Sequence, residues 1–176
     1  MLGTLITSKT RIKLLLKFFL NAKNTGYLKN LEQEFEDSSN GIRLELNKFE
    51  EAGLLTSSSK GNKKIFQANT SHPLFKDIHS IILKYTGIDQ ILESVINRLG
   101  NVNQVYLVGS LARGINSNII DIIIIGDIHK EYLISLIDKA EPIIEKKIRY
   151  ILYSAEEFKN NKLDILSESY FLIWNK

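Results

Sequence analysis

Apolar residues recur at helical spacing from the start of the chain. Ile12, Leu15, Leu16, Phe19 and Leu20 predict a helix over residues 9–21, capped by Ser8 or Thr10, with Lys13 and Lys17 on another face. Asn24-Thr25-Gly26 reads as a turn, and Leu28, Leu31 and Phe35 as the inward side of a second helix over 27–35. After the polar break at 37–41, Ile42, Leu46 and Phe49 form the stripe of a third helix to about residue 51, with Leu44 at its edge. Gly53 suits the left-handed position that ends it. Residues 55–58 and 63–68 then predict a β-hairpin whose tip, Ser59-Lys60-Gly61-Asn62, is basic and contains a glycine.

The pattern changes after residue 73. Pro73 opens a very apolar helix to about residue 85, Gly87 interrupts, and residues 88–99 form another helix. Strands follow at 104–108, 118–126 and 148–153. Leu133, Ile134 and Ile137 mark a helix over 130–140, and Pro142 begins or breaks the next turn. Ser154 and Glu157 form a capping box for a short helix over 155–158, and the aromatic tail over 163–174 reads as a core or interface plug. The fold class is therefore α/β in two small domains, 1–86 and 87–176.

Composition narrows the partners. The net charge of +3 is unevenly divided: residues 1–85 carry 13 Lys and Arg against 8 Asp and Glu, while residues 86–176 carry 10 against 12. Only the first half has the charge to meet a polyanion. With no cysteine, thiol catalysis, disulfides and zinc-thiolate sites are excluded. The first residues lack the basic-then-apolar form of a signal peptide, and Ile122–Ile125 is too short to span a bilayer. A soluble, cytoplasmic protein with no membrane partner is expected.

Three helices followed by a hairpin, across about residues 5–70, resemble the winged helix-turn-helix regulators of bacteria and archaea. The resemblance is carried by Ile42-Arg43-Leu44-Glu45-Leu46-Asn47-Lys48-Phe49-Glu50-Glu51-Ala52-Gly53-Leu54-Leu55 and the hairpin after it. It implies double-stranded DNA as partner, with the third helix in the major groove. Ser39, Asn40, Arg43, Asn47 and Lys48 would then face bases or phosphates, and Lys60, Lys63 and Lys64 would hold phosphates from the wing. It also implies a homodimer formed through the helix after the wing. Against this, Glu45, Glu50 and Glu51 dilute the positive field, and winged helices also serve as protein-interaction modules.

The second half is organised around Gln104-Val105-Tyr106-Leu107-Val108-Gly109-Ser110-Leu111-Ala112-Arg113-Gly114 and the strand from Asn118 to Gly126. Strand, Gly-Ser turn and a second strand bearing a carboxylate resemble the nucleotidyltransferase superfamily over about residues 88–160. The resemblance implies possible nucleotide-binding residues Gly109, Ser110, Arg113 and Asp121. It also implies paired aspartates, but whichever way the strand is matched, Ile119 or Ile123 stands where one should be. The third carboxylate position falls on Arg149. Mg²⁺ needs several carboxylate oxygens in strict geometry. The sequence thus predicts a minimal nucleotidyltransferase-like domain without catalytic residues, metal or cofactor, acting as a sensor of a small-molecule or nucleotide effector, a dimerisation unit, or both. An active nucleotidyltransferase using a nucleoside triphosphate and Mg²⁺, with Asp121 as a metal ligand, remains the enzymatic alternative.

Overall fold

The computed structural model describes residues 2–99, 101–166 and 169–176. The chain divides into two units, Met1–Tyr85 with Gly114–Asn116, and Thr86–Arg113 with Ser117–Lys176.

In the first unit a four-residue helix α1, Leu2–Leu5, precedes α2, Lys9–Leu15, whose first turn is held by Ser8 Oγ accepting from the Arg11 amide at 3.2 Å. α2 continues as a π-helical segment, Leu16–Leu20, in which all five residues are buried. Lys17, expected on a face apart from the apolar stripe, is therefore inside. Its Nζ is held inside by the Glu34 carboxylate, 2.7 and 2.9 Å from the two oxygens. Asn24 Nδ2 donates to the Lys17 carbonyl at 3.0 Å.

The expected turn at 24–26 is instead a short strand, β1, Thr25–Gly26. A side chain at Gly26 would lie 3.0 Å from Leu31 Cδ2, so only glycine lets that leucine pack there unhindered. Helices α3, Leu28–Phe35, and α4, Ser39–Glu51, follow, the second capped by Ser38. Ile42, Leu46 and Phe49 are buried, whereas Leu44 is exposed. Strands β2, Leu55–Lys60, and β3, Lys63–Ala68, pair through Lys60↔Lys63. The tip is thus the two-residue turn Gly61-Asn62, with Gly61 at φ +59°. Sheet order is β1-β3-β2. Helix α5, Phe75–Thr86, begins two residues beyond Pro73. It packs through the Phe75 ring, 5.8 Å from that of Phe19, and through His79 Nδ1, 2.6 Å from the Phe19 carbonyl.

Glu45 shows why α4 is not a plain charged face. It is buried, and Arg11 clasps it with Nε at 2.8 Å and Nη2 at 3.2 Å. Burial pushes its carboxyl up, but the Arg11 hydrogen bond and charge, with Lys48 and Ser8, outweigh this and hold it below the ordinary value. A depressed folded-state pKa gives stability that is complete above the unfolded value of about 4.3 and is lost as pH falls through the folded one. The wild type should therefore lose more stability than Glu45→Gln between neutral and strongly acidic pH, as read by urea titrations at the two ends.

In the second unit Gly87 (φ +82°) opens helix α6, Ile88–Ile91, followed by a π-helical segment, Leu92–Ile96, and α7, Asn97–Leu99. Its sheet has the order β6-β5-β4-β7. β4, Val102–Val108, is antiparallel to β5, Ile119–Gly126, with the short helix α8, Gly109–Ala112, between them. Helix α9, Lys130–Ile144, carries the chain to β6, Lys147–Tyr153, parallel to β5. α10, Ala155–Ile165, and β7, Phe171–Asn175, complete the unit. Strand alternation puts Ile123 and Ile125 on one face, packed with Tyr106 and Phe158, and Ile120, Ile122 and Ile124 on the other, sealed from water.

Two expectations are corrected here. Pro142 neither begins nor breaks a turn: α9 runs through it, and Glu141 secures the end of the helix by accepting from the Ile148 amide at 2.8 Å and from Lys147 Nζ at 2.6 Å. The aromatic tail is not a plug but an edge strand, because β7 pairs antiparallel with β4. Residues 167 and 168 of that tail lie outside the described residues.

Candidate functional site

Helix periodicity, roughly 100° per residue, turns Ser39, Asn40, Arg43 and Asn47 away from the buried stripe of α4, and all four are exposed. Arg43 and Asn47 line a groove of about 690 Å³ together with Asn62, Lys63 and Lys64 of the hairpin. Its other wall is the start of α3, with Tyr27, Leu28, Lys29 and Glu32, and its floor includes Leu46 and Phe66. The groove exists because the hairpin turn is only two residues long, which brings Asn62 and Lys63 to the same side as α4's outer face.

Local contacts decide how available each cation is. Lys63 Nζ sits 4.4 Å above the centre of the Tyr27 ring. Lys64 lies near the Phe66 ring and pairs with Glu50 at 2.6 Å. Hydrogen bonds from Lys64 and then Ser57 hold the Glu50 carboxyl below its ordinary value. So Glu50 does dilute the field, and it does so at Lys64 in particular. Arg43 and Lys60 make no side-chain hydrogen bond or ion pair among the described residues. Ser39 donates to Glu32, so its hydroxyl is engaged within the unit.

Lys48 does not share the groove. It lies on the opposite flank of α4, 3.9 Å from Glu45, and lines an apolar cleft with Leu5, Ile78 and Ile81. The reason is periodicity: five residues from Arg43 is well over a third of a turn out of phase. Conversely, Tyr27, Lys29 and Asn62 join the groove without having been singled out. Asn62 sat in the predicted tip, but Tyr27 depends on the β1–β3 pairing, which the turn-like residues of β1 hid.

In the second unit β4 ends at Val108, and Gly109 turns the chain at φ +66°. The close neighbour is Asp121, whose Oδ2 would lie 2.6 Å from any Cβ at residue 109. Val108 and Asp121 are cross-strand partners, as are Asp121 and Arg149 on the other side. Arg149 Nε donates to Asp121 Oδ1 at 2.6 Å, and this bond raises the guanidinium pKa further. Gly109, Asp121 and Arg149 line one cavity of about 560 Å³ with Val108, Ile123 and Ile151. Ser110 and Arg113 are not among its lining residues; Arg113 is exposed, and its amide closes the α8 turn onto Gly109 and Ser110.

This donor set does not suit a pair of Mg²⁺ ions. Alternation puts Ile119 and Ile123 on Asp121's face, so both candidate positions for a second carboxylate are hydrocarbon. The neighbouring strand contributes a cation, and one Asp121 oxygen is committed to it. Among the described residues no group of three His, Asp or Glu could hold a metal ion.

No protein-family model matches the chain, and no curated protein matches it. Two solved structures resemble parts of it. One is the protein AF1382 from Archaeoglobus fulgidus, 18% identical with a TM-score of 0.39, the match covering 53% of this chain and 98% of the other. The second is a proposed nucleotidyltransferase from Sulfolobus solfataricus, 24% identical with a TM-score of 0.35, covering 56% and 86%. Similarity of this extent assigns neither a family nor an activity.

Proposed function

We propose that the first unit is a winged helix that binds double-stranded DNA, and that the protein is a transcriptional regulator whose second unit is nucleotidyltransferase-like and non-catalytic. The observation that carries this reading is that Arg43 and Asn47, one turn apart on the exposed face of α4, open onto the same groove as Lys63 of the hairpin. Arg43 has the geometry to read guanine as a bidentate donor and Asn47 to read adenine. Lys60 and Lys63 contribute phosphate contacts, Lys64 less so because Glu50 competes for it. The exposed Ile81 on α5, with the exposed Leu74 just before it, supports a homodimer through that helix. Two-fold symmetry would then require half-sites about one helical turn apart. Among the described residues no helix is long and apolar enough to cross a membrane.

The test is DNA binding by fluorescence anisotropy over a salt series, using genomic fragments that include the protein's own upstream region. Arg43→Ala should weaken binding by about 1–3 kcal/mol and relax base preference. Lys60→Ala and Lys63→Ala should weaken all fragments alike and lower the salt slope by about one each. Equal, weak binding by wild type and variants would overturn the reading and leave α4's outer face for a protein partner.

The Gly109 turn packed on Asp121 favours a second reading, nucleotidyl transfer from a nucleoside triphosphate with Mg²⁺. Against it stands the Asp121–Arg149 pair. Label transfer from a nucleoside triphosphate that disappears in Asp121→Ala would establish the enzyme. The regulator reading expects no transfer, and DNA affinity unchanged by that substitution.

A further inference from the structure

We propose that the groove between α4 and the hairpin is a binding site for an amphipathic organic anion, a carboxylate on a flat apolar body, and that its occupancy excludes DNA. Only the exclusion rests on the DNA reading; the site itself does not.

A duplex presents phosphates and base edges, and reading them requires exposed cations and polar side chains. The groove has more than that. Beneath the cations lie Leu28, Leu46 and Phe66, with the Tyr27 ring at one wall, and water over such a floor gains by being displaced. The recess, about 690 Å³, falls within the range of roughly 300–1,000 Å³ typical of small-molecule sites. It is a recess with an apolar floor, not a flat basic face.

The rim sets the ligand's charge. Four cations line the groove against one carboxylate, Glu32, which is already accepting from Ser39. Lys64 is largely satisfied by Glu50. That leaves Lys29 on the α3 wall and, on the side of α4 and the hairpin, Arg43, without a side-chain partner among the described residues, and Lys63, whose company is the Tyr27 ring. A carboxylate between Arg43 and Lys63 would gain the fork geometry of a guanidinium and a second charge-assisted bond. A neutral molecule of the same shape forgoes those bonds, and an inorganic anion forgoes the floor. Both contributions are met only by an amphipathic anion. Because it would use the same Arg43 and Lys63 that the DNA reading requires, the two ligands compete directly, and each raises the apparent Kd of the other as its own concentration rises past its own Kd.

The experiment is calorimetric titration of the full chain with naphthalene-1-carboxylate in the absence of DNA. Saturable binding with Kd at or below about 1 mM is expected. The neutral 1-naphthamide and inorganic phosphate should each bind at least about tenfold more weakly. Arg43→Ala should cost about tenfold, and Asn47→Trp, an exposed helix position whose indole would take up part of the recess beside Arg43, should change the affinity measurably. Urea titration of both variants checks that they remain folded. No saturable heat, equal affinity for the amide, or unchanged affinity in both variants would each overturn the site. In the DNA arm, naphthalene-1-carboxylate should raise the apparent Kd for DNA in step with occupancy of the groove. If both ligands bind without affecting each other, the exclusion is wrong. If DNA never binds while the calorimetry holds, the DNA reading fails and the site stands; if DNA binds and the carboxylate does not, the site fails alone.

Discussion

Replacing Lys17 by methionine is expected to destabilise the first unit by about 3–5 kcal/mol. Few surface lysines would matter so much. Lys17 sits in the π-helical segment of the unit's central helix, its side chain only 9% exposed, facing a Glu34 side chain that is 11% exposed. In that position the pair contributes little net stability, because removing two charges from water offsets most of their attraction. Losing one partner is different: the Glu34 carboxyl would be left nearly buried, with the Asn30 amide at 3.4 Å as its remaining hydrogen-bond donor among the described residues. The double variant Lys17→Met/Glu34→Leu should recover most of the loss and come within about 1–2 kcal/mol of the wild type. Urea unfolding of the wild type, the two single variants and the double variant measures the coupling. A Lys17→Met cost below about 1 kcal/mol would mean the carboxylate finds water, and the account of the pair would be wrong.

That pair marks a limit on reading this chain from its pattern. The apolar positions of α2, α3 and α4 were legible because each is periodic over two turns or more, and periodicity is what burial responds to. Ser8, Gly53 and the Ser154–Glu157 box were legible because caps are local chemistry. Lys17 was not, since a π-helical turn changes the phase of a helix without a residue that announces it. β1 looked like a turn because Thr-Gly carries no alternation; only its pairing with β3 makes it a strand. Local propensity makes Pro142 begin or break a turn, yet Glu141's bonds to the start of β6 hold the last turn of α9. In each case a contact distant in sequence overrode a local preference.

The candidate surfaces divide in the same way. That α4 and the hairpin tip are the exposed polar parts of their unit follows from spacing. Which lysine is available does not, because Glu50's choice of Lys64 and Tyr27's place under Lys63 are set by the three-stranded pairing. In the second unit, period-two alternation together with parallel register puts Arg149 beside Asp121. The chemistry read there, a cation where a carboxylate would complete a metal site, needs only the identities of residues 119, 121, 123 and 149.

Gly109→Ala is expected to destabilise the second unit by about 2–5 kcal/mol, the other large effect, and to do so for two separable reasons. The backbone is in the left-handed region at φ +66°, which costs an L-residue about 1–2 kcal/mol. The new methyl would also stand 2.6 Å from Asp121 Oδ2 and 3.2–3.3 Å from its Cγ and Cβ, adding about 1–3 kcal/mol of overpacking. Relief requires Asp121 to rotate, and that carries its carboxylate off Arg149. Asp121→Ala by itself should cost little, because the Arg149 side chain is 67% exposed and can solvate. In the double variant the steric part vanishes and the backbone part remains, so the two costs should fall short of additivity by about 1–3 kcal/mol. Strict additivity in urea unfolding would show that the turn yields without touching the carboxylate. The glycine would then be required for its dihedral angle alone, and the Asp121–Arg149 pair would be free to open without disturbing the turn. A deficit of the expected size would instead make turn, carboxylate and guanidinium one mechanical unit, through which a ligand in that cavity would act on the end of β4.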